Sequence, residues 1–598
     1  MTDAETPLQD FAARSSRVTK RPGLDVRTLT DRGIAPPLTT RFSARPGLLV
    51  ALVATLLALV VTMPVAIHPT SNVYGPPGDG SGTVTFYWWW SYALTHGKSI
   101  FDNQLQGVPL GSEWSRVPLV PLSMFIFAPL SVLLGPVLSY NVLILSSFPL
   151  TAWATYMLGR RLGLTALPAA FSGLTFAFTP YHLEKAMGHG NQAHLELLVG
   201  ELLLLVTWRA RGRIRYIVGA GILAGLQLWA ETSIAYVLVF AVATFFLVSA
   251  SIGLLTEPRK WEVLRRHLGA GALLAAISAL FVPVAVVFLH RPGTPGSTPD
   301  LLALEHRDLG QVQIYSARLH EYVQPYYNNP LVPALIKRWE LAHLHGSNWT
   351  ESTILLGFTV IVLAIVGIIL TRRLFPVALA TALIAAGALL AMPPTRLLFG
   401  RPVHFPSYYL FGLISSYRVY ARFSWMVLLG GSLLAGLGLA ALQSRLRPGS
   451  VHVLLLIPFL LAAIEFNNLP PERFTQVFPA PAEYVWLRDQ PQGVLLEYPA
   501  NAGDLPRQEV QIRRYLLYQM VHLHPTFLTE VNGAAWAEAK RLEPYYAPGV
   551  VARLKALGVR YVFVHQSDYS ADGFDLSRNV DGLSYVTTLD GVDIFTVD

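Results

Sequence analysis

The sequence predicts an α-helical polytopic membrane protein that ends in a soluble α/β segment. Three observations predict it. Of 598 residues, 53% are hydrophobic and only 14% charged, where a soluble protein carries about 25% charged residues. The charge that is present is concentrated between apolar runs of roughly 17–22 residues, about the length a helix needs to cross the hydrocarbon layer. Beyond residue 470 the apolar runs shorten to strand length.

In chain order, residues 1–46 hold eight Lys/Arg and five acids without an apolar core, and read as a basic cytoplasmic tail rather than a cleaved leader. Apolar segments follow at 47–67, 139–158, 165–181, 195–209, 216–230, 234–254, 268–289, 352–371, 375–392, 424–442 and 451–466. Basic clusters punctuate them at Arg160-Arg161, Arg209 to Arg215, Arg259-Lys260, Arg265-Arg266, Arg372-Arg373 and Arg445/Arg447. With the N-terminus in the cytoplasm and eleven crossings, every one of these clusters falls inside, as the positive-inside rule requires. Residues 117–135, VPLVPLSMFIFAPLSVLLG, contain Pro118, Pro121 and Pro129. A full crossing there would invert everything after it, so a re-entrant or interfacial element is expected. A further pair of crossings, thirteen in all, would preserve the same sidedness. The membrane domain is then 47–469, with outer loops at 68–138, 290–351 and 393–423.

The segment 470–598 is expected to be an extracytoplasmic α/β domain. Its strands are GVLLEYP (493–499), GVRYVFVH (558–565) and VDIFTVD (592–598), and its helices cover 507–524 and 548–557, with Gly558 as a C-cap. There is no cysteine, which excludes disulfides, thiolate catalysis and zinc–thiolate sites. The net charge of +8 comes mostly from basic residues at span ends, where orientation accounts for them, so no nucleic-acid partner is expected. No internal repeat is visible, which argues against inverted-repeat transporter architectures.

The candidate chemistry lies in the outward segments. In GPPGDGSGTVTFYWWWSYALTHG (75–97), Asp79 is a lone acid before a helix carrying Trp88, Trp89 and Trp90. A carboxylate there can take the proton of an attacking hydroxyl. The competing reading is an ordinary Asp-Gly turn with the tryptophans as an interfacial belt. YHLEKAMGHGNQAH (181–194) offers His182, Glu184, Lys185, His189 and His194 without metal-ligand spacing, and His189 is taken as a substrate contact. Arg418 and Arg422 in SSYRVYARFSW are four apart, which on a helix places both on one face as a phosphate fork. Snorkelling to lipid headgroups or pairing with an acid is the alternative. Glu231 sits between two spans, where acids are costly and suggest function. Tyr315 in IYSARLHEYVQP completes the set of outward substrate-binding candidates.

The order of these motifs resembles the GT-C superfamily of polytopic glycosyltransferases, particularly its bacterial members. The segments that carry the resemblance are GDGSGTVTFYWWWSYALTHG, GRRLG (159–163), AFTP…GHGNQAH (177–194), IYSARLHEYVQP (314–325), YRVYARF (417–423) and LGVRYVFVH (557–565). The resemblance implies an enzyme of the plasma membrane that takes a sugar from a polyprenyl-phosphate donor and inverts at the sugar carbon. A glycan or protein hydroxyl outside the cytoplasm would be the acceptor, Asp79 the general base, and Arg418 and Arg422 the phosphate binders. Many relatives carry paired acids in the first loop, whereas Asp79 stands alone, with Asp102 and Glu113 further along. That departure leaves a divalent metal open. A lipid or solute transporter or flippase is the second reading, and a non-catalytic scaffold of the same fold the third.

Overall fold

The computed structural model describes residues 44–112, 120–289, 308–345, 349–446, 454–469, 473–500, 505–529 and 533–598. Residues 1–43 of the basic tail and Glu113 lie outside the described residues, as do 290–307 of the second outer loop.

Each of the eleven apolar segments contains a helix, although residues 353–357 of the eighth are not helical. The first is α1 (Ala44–Val61); the first outer loop then runs through strand β1 (Asn72–Tyr74) into helix α2 (Asp79–His96) and the 14-residue α3 (Pro121–Leu134). The bundle continues with α4 (Pro136–Arg161), α5 (Ala166–Ala177), the short α6 (Pro180–Gly188), α7 (Glu196–Arg211), α8 (Arg215–Ala230), α9 (Thr232–Thr256), α10 (Lys260–Ala279) and α11 (Val282–Leu289). After the second outer loop come α12 (Phe358–Leu370), α13 (Leu374–Ala391), the hairpin β2 (Thr395–Leu398) and β3 (Arg401–His404), α14 (Ser424–Gln443) and α15 (Ile457–Glu465).

Five of these stretches are long and apolar enough to cross a membrane: α4, α9, the α10–α11 unit, α13, and Tyr420–Gln443, which contains α14. Helices α1, α3, α5 and α12 are apolar but shorter. The expectation of eleven full crossings is therefore carried by length and composition for five. A 12- or 13-residue helix such as α5 or α12 reaches only about 20 Å at 1.5 Å per residue, short of the ~30 Å hydrocarbon layer. Helix α3 is likewise about 21 Å long, and the chain turns at Gly135 directly into α4. Helix α14 is the axis of the bundle and is buried along most of its length. Its small residues allow backbones to close in. A Cβ on Gly438 would lie 1.9 Å from the Leu363 carbonyl oxygen of α12, and one on Gly430 would lie 2.6 Å from that of Ala380 in α13.

Strand β4 (Phe474–Gln476) returns to pair antiparallel with β1, joining the C-terminal segment to the first outer loop. The rest of that segment builds a four-stranded sheet in the order β5 (Val494–Tyr498), β6 (Val559–His565), β8 (Val592–Val597), β7 (Leu583–Leu589). Strands β5 and β6 are parallel and the other pairs antiparallel. Helix α16 (Leu505–Leu517) follows β5, and α17 (Val550–Ala556) leads into β6 through Gly558 at φ +73°. Strand β7 is missing from the sequence-level reading because LSYVTTL alternates weakly and has an exposed face. The first outer loop also docks on this segment. Thr526 donates its backbone N–H to the Leu105 carbonyl at 2.8 Å, Val108 returns one to Thr526 at 3.1 Å, and Asn103 reaches the Gln519 side chain at 3.3 Å.

Candidate active site

Docking of the loop on the C-terminal segment creates the site. Gly75 adopts φ +107°, a conformation that favours glycine, and a Cβ there would fall 1.7 Å from the Met187 carbonyl oxygen. The loop before α2 is thereby pressed against the end of α6, and Asp79 meets His189. The His189 Nε2 lies 3.1 Å from Oδ2 of Asp79. The other carboxylate oxygen, Oδ1, accepts a hydrogen bond from the Arg513 guanidinium of α16. Asp79 is the first residue of an 18-residue helix, where the aligned peptide dipoles favour a negative charge. Burial and the neighbouring Lys185 ammonium push the His189 imidazole below its ordinary range, to about 4, against the pull of Asp79. The ring is neutral at pH 7.

These three residues line a cavity of about 340 Å3 together with Glu231. Glu231 also caps α9, accepting from the Ser233 N–H at 3.2 Å and its hydroxyl at 2.7 Å. One wall is apolar and aromatic, formed by Phe86, Trp90, Pro121, Leu228, Trp229 and Ala285. Buried polar atoms of lining residues without a protein partner include Trp90 Nε1, His189 Nδ1 and Gln192 Oε1. Buried polar groups left so are uncommon and call for an explanation. Asp79, His189 and Glu231, taken from three separate motifs of the sequence, are thus brought to one cavity.

The remaining candidates are placed elsewhere. Arg418 precedes a 3-10 turn (Tyr420–Phe423) rather than lying on a helix with Arg422, so the expected two-arginine fork on one helix face does not form. The Arg418 guanidinium sits 4.9 Å above the Tyr315 ring and donates to Gln311 at 3.2 Å. Arg422 donates to Glu351 at 3.4 Å, and the buried Lys185 donates to the same carboxylate oxygen. The Tyr181 hydroxyl donates to the other at 2.6 Å. Burial alone would raise the Glu351 pKa, but Lys185 and Arg422 hold it down at about 2. Neither arginine nor Tyr315 lines the cavity. His182 stacks on Phe148, Glu184 accepts from Tyr326 and Asn328, and His194 pairs with Glu196, so His189 is the one charged or titratable residue of that motif on the cavity wall.

Arg513 and Glu351 are the residues that sequence reading misses. Arg513 is 434 positions from its partner, and its one visible signal is the Arg513-Arg514 pair inside a helix. Among the described residues no group of three His, Cys, Asp or Glu side chains could hold a metal ion.

No protein-family model matches the chain, and no curated protein matches it in sequence. Solved structures do match in fold. Arabinofuranosyltransferase AftD from Mycobacteria superposes with a TM-score of 0.60 at 15% identity, over 93% of this chain and 40% of that one. The chain thus spans about two fifths of AftD. The oligosaccharyltransferase AglB of Archaeoglobus fulgidus gives 0.48 at 13% identity over 87% and 69% of the two chains. ArnT from Cupriavidus metallidurans gives 0.48 at 14% identity over 92% and 97%. The chain shares its fold with AftD over 93% of its own length.

Proposed function

We propose that this chain is a membrane glycosyltransferase that moves a sugar from a polyprenyl-phosphate donor to an extracytoplasmic hydroxyl with inversion. The observation that carries the reading is the position of Asp79, held at a helix start on the wall of a 340 Å3 cavity. Next to it stand an aromatic, apolar wall suited to a lipid-borne substrate and unpartnered polar atoms suited to sugar hydroxyls. A fold shared with an arabinofuranosyltransferase supports sugar transfer as the reaction class.

In the proposed step, the acceptor O–H donates its proton to the Asp79 carboxylate as its oxygen attacks the sugar carbon. The bond from that carbon to the phosphate oxygen breaks, and the lipid phosphate departs with the electron pair. One displacement inverts the centre. Neutral His189 orients the carboxylate through Oδ2, and Glu231 contacts the sugar. The cavity opens to the outer face of the plasma membrane, the N-terminus is cytoplasmic, and the segment after 470 frames the acceptor, a glycan or a protein.

Replacing the carboxylate by an amide tests this. In proteoliposomes, Asp79→Asn should keep the melting temperature and lose transfer from the lipid-linked donor by about 10²–10⁴-fold. Wild-type turnover in that variant would falsify the role of Asp79. Sidedness is tested separately, because the chain has no cysteine. A single cysteine at exposed Lys98 should react with an impermeant maleimide on intact cells, and protection until lysis would put the cavity on the wrong side.

A further inference from the structure

Among the described residues, Arg513 is the one Lys or Arg on the wall of a cavity that also carries two carboxylates, Asp79 and Glu231. Its side chain lies along the first turn of α2. A Cβ on Gly82 would meet its Cδ at 3.4 Å and its Nε at 3.5 Å, and the arginine is one-fifth exposed. The other cations of this region, Lys185 and Arg422, both pair with Glu351, and His189 is neutral. A phosphate ester arriving here has one full positive charge to meet. That charge is already engaged by Oδ1 of Asp79. A guanidinium presents a planar fork of N–H donors that fits a phosphate as well as a carboxylate. A carboxylate oxygen that is accepting from an arginine is in turn less open to an acceptor hydroxyl.

We propose that Arg513, supplied by the C-terminal segment, binds the phosphate of the lipid-linked donor and leaves Asp79 to do so, so that donor binding releases the base. The inference rests on reading the cavity as the transfer site. It makes Arg513 a substrate-binding residue and makes Asp79 and the phosphate competitors for one guanidinium. It also gives a reason for the C-terminal helix to lie against α2, since the acceptor-side segment then senses whether the donor is bound.

The test is binding, not turnover. Quenching of the cavity tryptophans Trp90 and Trp229 in the purified full chain reports on polyprenyl phosphate. Polyprenol of the same length, inorganic phosphate and phosphatidylglycerol vesicles serve as controls. Arg513→Ala should weaken polyprenyl phosphate by about 10–100-fold, as expected for loss of a charge-assisted hydrogen bond, and leave polyprenol unchanged. Arg513→Lys, which keeps the charge and loses the fork, should fall between. Asp79→Asn, although inactive, should bind polyprenyl phosphate several-fold more tightly because the competing charge is gone, and the double variant should lose that gain. An arginine that merely ties two segments together moves none of these. Unchanged binding in Arg513→Ala, or no gain in Asp79→Asn, overturns the inference and leaves the reading of the cavity standing. Wild-type protein that does not bind polyprenyl phosphate overturns both. Inorganic phosphate or phosphatidylglycerol binding as tightly as polyprenyl phosphate assigns the guanidinium to another anion and overturns the donor role.

Discussion

Two carboxylates in this molecule are gripped by cations, and the contrast between them separates scaffold from chemistry. Glu351 is 3% exposed and shares one oxygen between Lys185, fully buried, and Arg422, while Tyr181 closes the other. Asp79 is 44% exposed, with Arg513 on one oxygen and His189 on the other. Breaking one partner out of a buried charge cluster leaves the others uncompensated in a medium that solvates them poorly. Breaking an open pair hands both charges back to water and costs little. Asp79 can therefore exchange partners and Glu351 cannot. Arg422, which on sequence alone resembles a substrate ligand, belongs to the sealed cluster.

The sharpest way to break that contrast is to mutate both acids and compare. Glu351→Gln should destabilise by about 3–5 kcal/mol, because buried Lys185 and part-buried Arg422 lose their counter-charge. In detergent it should melt several degrees lower or fail to accumulate. Asp79→Asn should change stability by less than about 1 kcal/mol while abolishing transfer. Equal losses of stability in the two variants would erase the distinction.

A pair of glycine substitutions comes next in size. Gly75→Ala meets the Met187 carbonyl at 1.7 Å and carries a positive φ, so it should cost at least about 2 kcal/mol and pull the Asp79 loop away from His189. Gly82→Ala places its methyl at ordinary contact distance, 3.4 Å, from the Arg513 side chain. Alanine is the better helix former by about 1 kcal/mol, so this variant should melt no lower than wild type and keep turnover. The two glycines stand seven residues apart, and only the first fixes the loop.

How much of this is legible without coordinates follows from the range of the interactions. The eleven apolar runs declare their helices through length and composition, and the strands around Leu496, Val562 and Ile594 through short apolar runs. Asp79, His189 and Glu231 each stand out as polar groups at the ends of apolar segments, and local cues suffice to nominate them. Spacing fails at Arg418 and Arg422, because an i, i+4 argument holds only on a helix and the chain there runs into a 3-10 turn. Nothing local to α16 or to Trp349–Ser352 announces that Arg513 faces Asp79 or that Glu351 faces Lys185. Those pairs exist through docking of segments 166 or more positions apart. The second half of the site is a tertiary fact.

The finest test of the contrast is its acid titration, since the two clusters should fail in different pH windows. Burial and Lys185 hold the His189 pKa near 4 in the folded protein, against about 6.5 in an unfolded chain. Between those values the unfolded state binds more protons, so stability falls as pH drops from about 6.5 toward 4. The ring is one-third exposed, which keeps this slope shallow. Glu351 is depressed to about 2. Its contribution is whole above the ordinary glutamate range, near 4.5, and is lost as pH falls from there toward 2. Melting curves from pH 7 to 3 should therefore show a gentle decline followed by a steep one. His189→Gln should flatten the upper part and leave the lower part untouched. A wild-type profile in that variant would mean that burial and Lys185 do not lower the imidazole's pKa beside Asp79.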